Sequence, residues 1–344
     1  MPDISVIMPT ARDNYCIQGQ PNLHFLKPTM ESLSKQRFKD FELILVDSLH
    51  STRDYDFSGL PFQVKHVPVH PNHRFWLNRK RWNICGALNT GLLYAEGELV
   101  VRIDDCSDFG SGFLQRFWEG YQRGYFPLAM HTRYRGGRQA FYNDEYRQEG
   151  YDFAREEPDR KRILEQVYGE GNPIRDTRWP IVEGKGGRMI GPPAWFYGYS
   201  SMSLEAALKV NGFNELFDGD KGQEDQEMGL RLSMAGYRDM FLLDIDHWVI
   251  EHEHHPIPAE VITPDQGNIK CNYSIFLLNK RKGRWRANSD RLTKEDLDFI
   301  IDESLRPPCS PHPNFYIDDC QGKLFKLWSD NPPLFDLRDE RLEI

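Results

Sequence analysis

The sequence has 344 residues, of which 39% are hydrophobic and 28% are charged, and its formal net charge is −9. This apolar share is large enough for a sizeable core and excludes an intrinsically disordered chain. The acidic balance argues against non-specific binding to nucleic acid, which requires a basic face. No stretch approaches 18 consecutive apolar residues, so the sequence predicts no membrane-spanning helix.

The six cysteines include no Cys-x-x-Cys pair and show no spacing typical of a metal site. Scattered cysteines in a chain of this length indicate reduced thiols. The first residues lead straight into an apolar run and have none of the features of a secretion signal. We therefore expect a cytoplasmic protein.

Strands and helices are expected to alternate along the first 130 residues. Apolar runs predict strands at Ile4–Thr10, Phe41–Asp47, Phe62–Val69, Leu99–Ile103 and Phe126–Thr132. Apolar residues at helical spacing predict helices at Phe25–Lys35, Asn83–Ala95 and Phe113–Tyr121. This alternation implies crossover connections and a mostly parallel sheet, so the predicted fold class is α/β.

The composition changes after this region. Residues 133–190 are rich in Arg, Glu, Asp, Gly and Tyr, with a brief helical signal at Lys161–Val167, which indicates a polar insertion or lid. A strand is expected at Phe241–Asp244. The helices expected beyond the insertion are Leu204–Val210, one that begins at Glu224 and ends at Gly236, Ser274–Asn279 and Lys294–Ser304.

An acidic cluster follows the strand Leu99–Ile103. Asp104, Asp105 and Asp108 lie within five positions of one another, just past the carboxyl end of a strand, where open α/β sheets bind ligands. Carboxylates this close repel one another unless a cation compensates them. Mg2+ or Mn2+ holding a phosphate would do so. A solvated turn is an equally open interpretation, because Asp is common in turns.

Three further groups of side chains could take part in chemistry. Glu224 and Asp225 begin a helix, where acidic residues often only complement the helix dipole. The histidines after residue 251 either ligate a metal or form exposed polar surface. Trp195 and Tyr197 either stack on a sugar ring or pack in the core.

The order of short motifs along the chain resembles that of family 2 glycosyltransferases, which have the GT-A fold. The motifs are strand–Pro-Thr, strand–Asp-Ser, Gly-Leu-Leu-Tyr-Ala-Glu-Gly-Glu, strand–Asp-Asp, Gly-Phe-Asn-Glu and Glu-Asp-Gln-Glu-Met-Gly-Leu-Arg-Leu. The similarity covers roughly residues 3–130 and 190–250. The clearest match is Gly212-Phe213-Asn214-Glu215, followed nine residues later by Glu224-Asp225.

The resemblance implies a Rossmann-like, mostly parallel central sheet flanked by helices, with a polar insertion and a C-terminal extension. Residues 1–130 would form the nucleotide-sugar-binding half and residues 131–190 the insertion or lid. Residues 191–255 would form the acceptor-binding half, and residues 256–344 a helical and Pro-rich extension.

The resemblance also implies roles for individual residues. The nucleotide sugar would be bound by Pro9, Thr10, Asp47, Asn89, Gly91, Asp104 and Asp105. The ligands of a Mn2+ or Mg2+ ion would come from Asp104, Asp105, Asp108, His252 and His254. The catalytic pair would be Glu224 and Asp225, with Asp225 as general base, and the acceptor would contact Trp195 and Tyr197.

One position departs from the family pattern. Cys106 stands where the family's Asp-x-Asp motif has its second aspartate, which usually supplies the metal carboxylate. A thiol is a soft ligand and is poorly suited to Mg2+ or Mn2+. Asp105 or Asp108 would then take over that role, or the dependence on metal would be altered.

These features predict an inverting glycosyltransferase that moves a sugar from a nucleotide-diphosphate sugar, with UDP as the expected nucleotide, to the hydroxyl of a sugar, glycan or other acceptor. One alternative is a nucleotidyltransferase, although the Gly-rich basic loop expected near the N-terminus is missing. Another is a non-catalytic nucleotide-sugar-binding module, which the departure at Cys106 keeps open. The acidic charge disfavours a nucleic-acid partner without excluding it, because residues 280–286 form a basic run.

Overall fold

The computed structural model describes residues 1–11, 16–17, 20–24, 26–80, 82–133, 174–176, 178–220, 222–251, 269–305, 323, 327 and 329–344. The candidate metal ligands His252 and His254 and the predicted helix Lys161–Val167 lie outside the described residues.

The described strands and helices follow one another in a largely alternating order. The strands are β1 (Ile4–Thr10), β2 (Cys16–Ile17), β3 (Gln20–His24), β4 (Phe41–Asp47), β5 (Gln63–Pro68), β6 (Leu99–Arg102), β7 (Ser107–Asp108), β8 (Phe126–Arg133), β9 (Ile174–Arg175), β10 (Arg188–Ile190), β11 (Ser201–Ser203) and β12 (Phe241–Glu251). The α-helices are α1 (Lys27–Ser34), α2 (Ile84–Tyr94), α3 (Phe113–Gln122), α4 (Trp179–Glu183), α5 (Leu204–Lys209), α6 (Glu224–Leu232), α7 (Ile269–Lys282), α8 (Lys294–Leu305) and α9 (Leu337–Glu340).

The central sheet has the strand order β11-β6-β1-β4-β5. Strands β6, β1, β4 and β5 are parallel, and β11 joins the edge antiparallel to β6. The predicted α/β class with a mostly parallel sheet flanked by helices is therefore confirmed. Thr10 pairs with Asp47 across β1 and β4, while Arg102 is level with Ile7. The chain that continues beyond Arg102 thus runs beside the carboxyl end of β1.

Strands β1 and β4, in the middle of this sheet, are buried on both faces. Every residue of β1 and β4 is buried, and alternate residues enter two different apolar clusters. Val6 and Leu43 belong to the cluster on one face, and Ile7 and Ile44 belong to the cluster on the other. This period-two division is the reason that the sequence shows continuous apolar runs there instead of an apolar–polar alternation.

A second sheet has the order β10-β12-β8-β9, with β7 also paired to β12. Its long strand β12 extends to Glu251, so the predicted strand Phe241–Asp244 was too short. The polar residues after Asp244 interrupt the apolar pattern, and the pairing of β12 with β8 shifts register between Leu243 and Trp248. Strand β7, which contains Asp108, pairs with the end of β12.

Helix α2 is fixed at its amino end by a carboxylate. The Asp218 side chain accepts hydrogen bonds from the backbone N–H groups of Cys85 and Gly86, each at 2.8 Å. These groups have no partner inside the helix, so the carboxylate satisfies them where the helix dipole favours negative charge. Burial, together with the nearby charge of Glu215, raises the pKa of Asp218 well above its usual value.

The carboxyl end of α2 is held by a residue from the far end of the chain. Arg341 donates hydrogen bonds to the backbone carbonyls of Leu92, of Leu93 at 3.0 Å and of Ala95 at 2.8 Å. A guanidinium at this position supplies donors to carbonyls that the helix leaves unpaired. The segment after α9 is therefore part of the central domain's packing. No described helix has the length and apolar character needed to cross a membrane.

Candidate active site

Two predicted site residues meet at the carboxyl end of β1. The Thr10 hydroxyl donates a hydrogen bond to Asp105 Oδ2 at 2.7 Å, and both residues are buried. The sheet register brings them together, because the chain leaves β6 beside the last residues of β1. Asp105 is thus held by the neighbouring strand.

A single arginine connects the acidic stretch with the first turn of α6. The guanidinium of Arg102, the last residue of β6, forms an ion pair with Asp225. Its Nη2 atom lies 3.8 Å from Asp104 Oδ1. The Arg102 and Asp225 side chains are 7% and 9% exposed, whereas Asp104 is 25% exposed. The structure therefore brings the two predicted acidic clusters to one place, with a buried cation between them.

The backbone around α6 fixes the position of Asp225. Gln223 has a positive φ of 73°, which turns the chain into the helix immediately before Glu224. The Gly198 N–H donates to Asp225 Oδ2 at 3.3 Å. Helix α6 also packs closely on the segment before Gly198, since a Cβ on Gly229 would lie 2.1 Å from the Pro193 carbonyl oxygen. The helix and this segment consequently share one surface.

Trp195 and Tyr197 lie on this segment. Both are partly exposed, whereas Phe196 between them is fully buried in the core. The Tyr197 ring stacks on His131, with ring centroids 5.0 Å apart. Arg178 donates a hydrogen bond to the Trp195 carbonyl at 2.8 Å and lies over the Tyr197 ring. Arg178, which lies before this segment in the chain, therefore contacts both of the residues that were predicted to bind the acceptor.

Arg178 is itself anchored by Asp176. The guanidinium donates to both carboxylate oxygens, at distances of 2.6 to 3.2 Å. Burial would raise the pKa of Asp176, but the hydrogen bonds and the charge of Arg178 lower it below its usual value. A charged, bidentate pair of this kind has a well-defined geometry, so it holds the surface that carries Tyr197.

Asp47 orders the loop that follows β4. Its Oδ1 accepts from the Leu49 N–H at 2.8 Å, and its Oδ2 lies 3.0 Å from His66 Nε2 and 3.3 Å from Arg53 Nη1. The His66 ring contacts the ring of His50, with centroids 4.4 Å apart. Asp47 is almost fully buried. The structure thus places it within a group of basic and aromatic side chains at the carboxyl ends of β4 and β5.

Asn89 and Gly91 lie inside the molecule. The Asn89 amide group donates to the Phe213 carbonyl at 2.9 Å and to Glu215 Oε1 at 3.0 Å, and it accepts from the Phe213 N–H at 2.7 Å. A Cβ on Gly91 would lie 2.3 Å from Ile7 Cγ2. Their described contacts join α2 to the Gly-Phe-Asn-Glu loop and to β1.

The carboxylates of the acidic stretch contact different parts of the structure. Asp105 faces Thr10, whereas Asp108 Oδ1 accepts from the Ser32 hydroxyl of α1 at 2.6 Å. Cys106 is buried. Among the described residues, no three ligand atoms of this stretch lie within 4.8 Å of one another. Asp104 alone could serve as the protein ligand of a hard divalent ion, because Mg2+ is commonly held by one or two carboxylates together with substrate phosphates.

Two features of this region are absent from the sequence predictions. Arg102 lies within a predicted apolar strand, although a charged residue inside a buried run is rarely buried without a partner. Glu215 belongs to a predicted motif, yet its carboxylate lies 2.7 Å from His73 Nδ1 in the interior. The contact with His73 spans 142 positions, and no sequence pattern indicates it.

The sequence matches a model of a known protein family. The family model described as Glycosyl transferase family 2 matches residues 5–177, just over half of the chain. The chain belongs to this family. It is therefore a glycosyltransferase, and the family resemblance expected from the motifs is confirmed. Among curated proteins, no sequence matches this one.

Two solved structures are similar to this family 2 member. The mannosyltransferase PcManGT from Pyrobaculum calidifontis, in complex with GDP-Man and Mn2+, is 16% identical with a TM-score of 0.44, over 88% of this chain and 68% of its own. TarS 1–349 from S. aureus, in complex with UDP-GlcNAc, is 13% identical with a TM-score of 0.48, over 91% of this chain and 78% of its own.

The basic run of this glycosyltransferase is partly paired with two of the chain's own carboxylates. Lys282 and Arg284 pair with Asp296, and Arg286 pairs with Asp336. Burial alone would raise the pKa of Asp296, but hydrogen bonds from Lys282, Thr293 and Arg284 lower it to about 2. These pairings account for three of the five cations at residues 280–286, which reduces the positive charge available to a nucleic acid.

Proposed function

We propose that this family 2 glycosyltransferase transfers a sugar from a nucleotide-diphosphate sugar to an acceptor hydroxyl with inversion, and that Asp225 is the general base. The observation that carries the proposal is the contact of Arg102 with both Asp225 and Asp104. Through this contact, a carboxylate on the acceptor side lies next to a carboxylate on the donor side. An in-line displacement requires that the base beside the acceptor and the groups that bind the donor diphosphate lie close together.

The surroundings of Asp225 support its proposed role as base. Its Oδ2 accepts from the Gly198 N–H, so the carboxylate lies beside the segment that carries Tyr197 and Trp195. An acceptor stacked on those rings would present its hydroxyl to Asp225, and orientation of this kind lowers the barrier. Proton transfer to a positioned carboxylate typically contributes about 10²–10⁴-fold to the rate. Glu224, the preceding residue, is proposed to assist in binding the acceptor.

The nucleotide is proposed to be UDP, bound along the carboxyl ends of β1 and β4. Asp47 lies there with His66, His50 and Arg53, which offers hydrogen-bonding groups and rings to a nucleobase. Pro9 and Thr10 are proposed to line the same pocket. Given their buried contacts, Asn89 and Gly91 are proposed to act by holding α2 behind the nucleotide.

A Mn2+ or Mg2+ ion, when bound, would supply positive charge to the leaving diphosphate. Asp104 is proposed as its principal protein ligand because it is the most exposed of the acidic pair beside Arg102. Asp105, Asp108, His252 and His254 stay as candidate ligands. Asp105 and Asp108 each bind a neighbouring hydroxyl, which supports a role in positioning the turn.

The polar insertion is proposed to act on acceptor choice. Arg178, which lies within residues 131–190, holds the Trp195 carbonyl and lies over the Tyr197 ring. A substitution or conformational change in the insertion would therefore alter the position of the rings that are proposed to stack on an acceptor sugar. The acceptor class proposed is a sugar, glycan or other hydroxyl-bearing molecule.

The proposal is tested by measuring nucleotide release from a panel of sugar nucleotides with Mn2+ and candidate acceptors. The variant Asp225→Asn is expected to lower transfer by about 10²–10⁴-fold. Asp239→Asn, the same change at an exposed carboxylate after α6, is the matched control and is expected to have no effect. NMR analysis of the product's anomeric configuration reports inversion.

Three results would count against this assignment. Transfer that is unaffected by Asp225→Asn would exclude that residue as base. Release of pyrophosphate from a nucleoside triphosphate would favour a nucleotidyltransferase. Calorimetric binding of a sugar nucleotide without turnover by the wild-type protein would indicate a non-catalytic module.

A further inference from the structure

A second group of ligand-type side chains lies away from the acidic stretch. His70 and His73 come from the loop between β5 and α2, and Glu340 comes from α9, some 270 positions along the chain. One ligand atom from each of the three residues lies within 4.8 Å of the other two. No other described group of three or more His, Cys, Asp or Glu side chains meets this distance.

Three ligand-type atoms of this group are buried, namely His70 Nδ1, His73 Nε2 and Glu340 Oε2. His73 Nε2 and Glu340 Oε2 lie 3.0 Å apart, and His73 is fully buried. His70 Nδ1 has no hydrogen-bond partner among the described residues, and a buried polar atom without a partner costs about 1–3 kcal/mol. A cation bound between the two imidazoles and the carboxylate would be a partner to all three atoms.

The outer contacts of the group orient these atoms as ligands. Glu215 Oε1 lies 2.7 Å from His73 Nδ1, and the Asn72 side-chain amide donates to Glu340 Oε1 at 2.7 Å. A carboxylate on Nδ1 fixes the tautomer in which Nδ1 carries the proton, so Nε2 presents its lone pair. Metal-bound histidines usually have such a carboxylate or carbonyl partner.

We propose that His70, His73 and Glu340 bind a Zn2+ ion that fastens α9 to the loop ahead of α2. Two imidazole nitrogens and one carboxylate are a ligand set that zinc prefers, at Zn–N distances of about 2.0–2.1 Å. In a tetrahedral site with bonds of that length, neighbouring ligand atoms are about 3.3 Å apart. The distance of 3.0 Å between His73 Nε2 and Glu340 Oε2 is close to this spacing.

This site is distinct from the one proposed for the diphosphate. Asp104 offers a hard carboxylate to Mn2+ or Mg2+, whereas imidazole nitrogens favour zinc and the later transition metals. The zinc ion would act on the fold, because Glu215 joins His73 to the Asn89 amide of α2. It would thus couple the C-terminal helix, the Gly-Phe-Asn-Glu loop and α2.

The test is the zinc content of the full chain after incubation with Zn2+ and gel filtration. The wild-type protein is expected to retain about one zinc per chain, and His70→Ala is expected to retain none. His70 is the variant of choice because its side chain is not bonded to Glu215. His50→Ala is the matched control, since the ring of His50 contacts His66 instead. Co2+ bound in place of zinc is expected to give a tetrahedral ligand-field spectrum that His70→Ala abolishes.

Thermal unfolding supplies a second readout. Zn2+ is expected to raise the unfolding midpoint of the wild-type protein, and a chelator to lower it, because a ligand that binds only the folded state stabilises it. If His70→Ala does not fold, Glu340→Gln is used, because its amide keeps an acceptor for Asn72. Asp225→Asn is expected to retain the zinc, so this proposal and the proposed function fail independently.

The proposal is overturned if the wild-type protein holds no stoichiometric zinc, or if His70→Ala holds as much as the wild type. The alternative is an imidazolium ion at His73 between two carboxylates. Burial lowers the pKa of His73, but Glu215 and Glu340 together raise it to about 9. In that case, stability would be indifferent to Zn2+ and to the chelator.

Discussion

Replacing Arg102 with Met removes the cation that lies between Asp225 and Asp104. The two side chains of the Arg102–Asp225 pair are 7% and 9% exposed, so the pair is largely desolvated. Met keeps much of the apolar volume, but the carboxylate of Asp225 is left buried without its counter-ion. Breaking one partner of a buried ion pair costs about 3–5 kcal/mol. We therefore expect a substantial loss of stability in the Arg102→Met variant.

The size of the expected shift in melting temperature follows from the chain length. An unfolding entropy of about 2.1 cal/mol/K per residue gives about 0.7 kcal/mol/K for a chain of 344 residues. A loss of 3–5 kcal/mol then corresponds to a fall in the midpoint of about 4–7 °C. Differential scanning calorimetry measures this directly. Urea unfolding of Arg102→Met, Asp225→Asn and the double variant gives the coupling energy between the two sites.

The coupling is the decisive quantity. If the ion pair forms as described, Asp225→Asn is much less destabilising, or even stabilising, in the Arg102→Met background, because the uncompensated charge is removed. The reasoning is refuted if the effects of the two substitutions simply add, with a coupling energy below about 0.5 kcal/mol. Exposed pairs give coupling energies of about 0.2–1 kcal/mol, so near-additivity would mean that the pair is solvated.

The two remaining predictions concern the interior. Gly91→Ala is expected to destabilise the protein by about 1–3 kcal/mol, since the new Cβ would lie 2.3 Å from Ile7 Cγ2; an unchanged urea midpoint would contradict this, and Ile7→Ala should lessen the effect. Burial, together with the charge of Arg116, lowers the pKa of His247 from 6.5 to about 3. The unfolded chain therefore takes up a proton that the folded chain excludes. The stability from this group is present above pH 6.5 and is lost as pH falls toward 3, by up to about 1.4 kcal/mol per pH unit. His247→Leu should flatten that slope in urea titrations, and an unaltered slope would count against it.

The strands of the central sheet could be predicted because burial on both faces leaves a strong local signal. The run from Phe41 to Asp47 was predicted with the observed bounds, and the helix around α2 differs from the prediction by one residue at each end. The full length of strand β12 was harder to predict, because a local pattern does not reveal a strand that continues through Asp246 and His247. The polar residues there break the apolar period, and only pairing with β8 holds the strand together.

Part of the candidate site could be proposed from the sequence. Carboxylates that follow a buried strand stand out, which singled out Asp104, whereas Asp47 was singled out by the resemblance to the family motifs. The contact between Arg102 and Asp225 spans more than 120 positions and depends on tertiary packing. No local propensity indicates that a guanidinium at the end of one strand will meet the first turn of a distant helix. The group formed by His70, His73 and Glu340 could not be predicted, for the same reason.

The hydrogen bonds from Arg341 to the end of α2 also bear on how the chain acquires its structure during synthesis. Arg341 and Leu92 are separated by 249 positions. At about 5–20 residues per second, the ribosome takes roughly 12–50 s to make that interval. During that interval the carbonyls at the end of α2 lack their native hydrogen-bond donor, the Arg341 guanidinium. A nascent chain that already contains the whole predicted nucleotide-binding half therefore still exposes an unfinished helix end, and the domain is completed only after residues near 340 have been made.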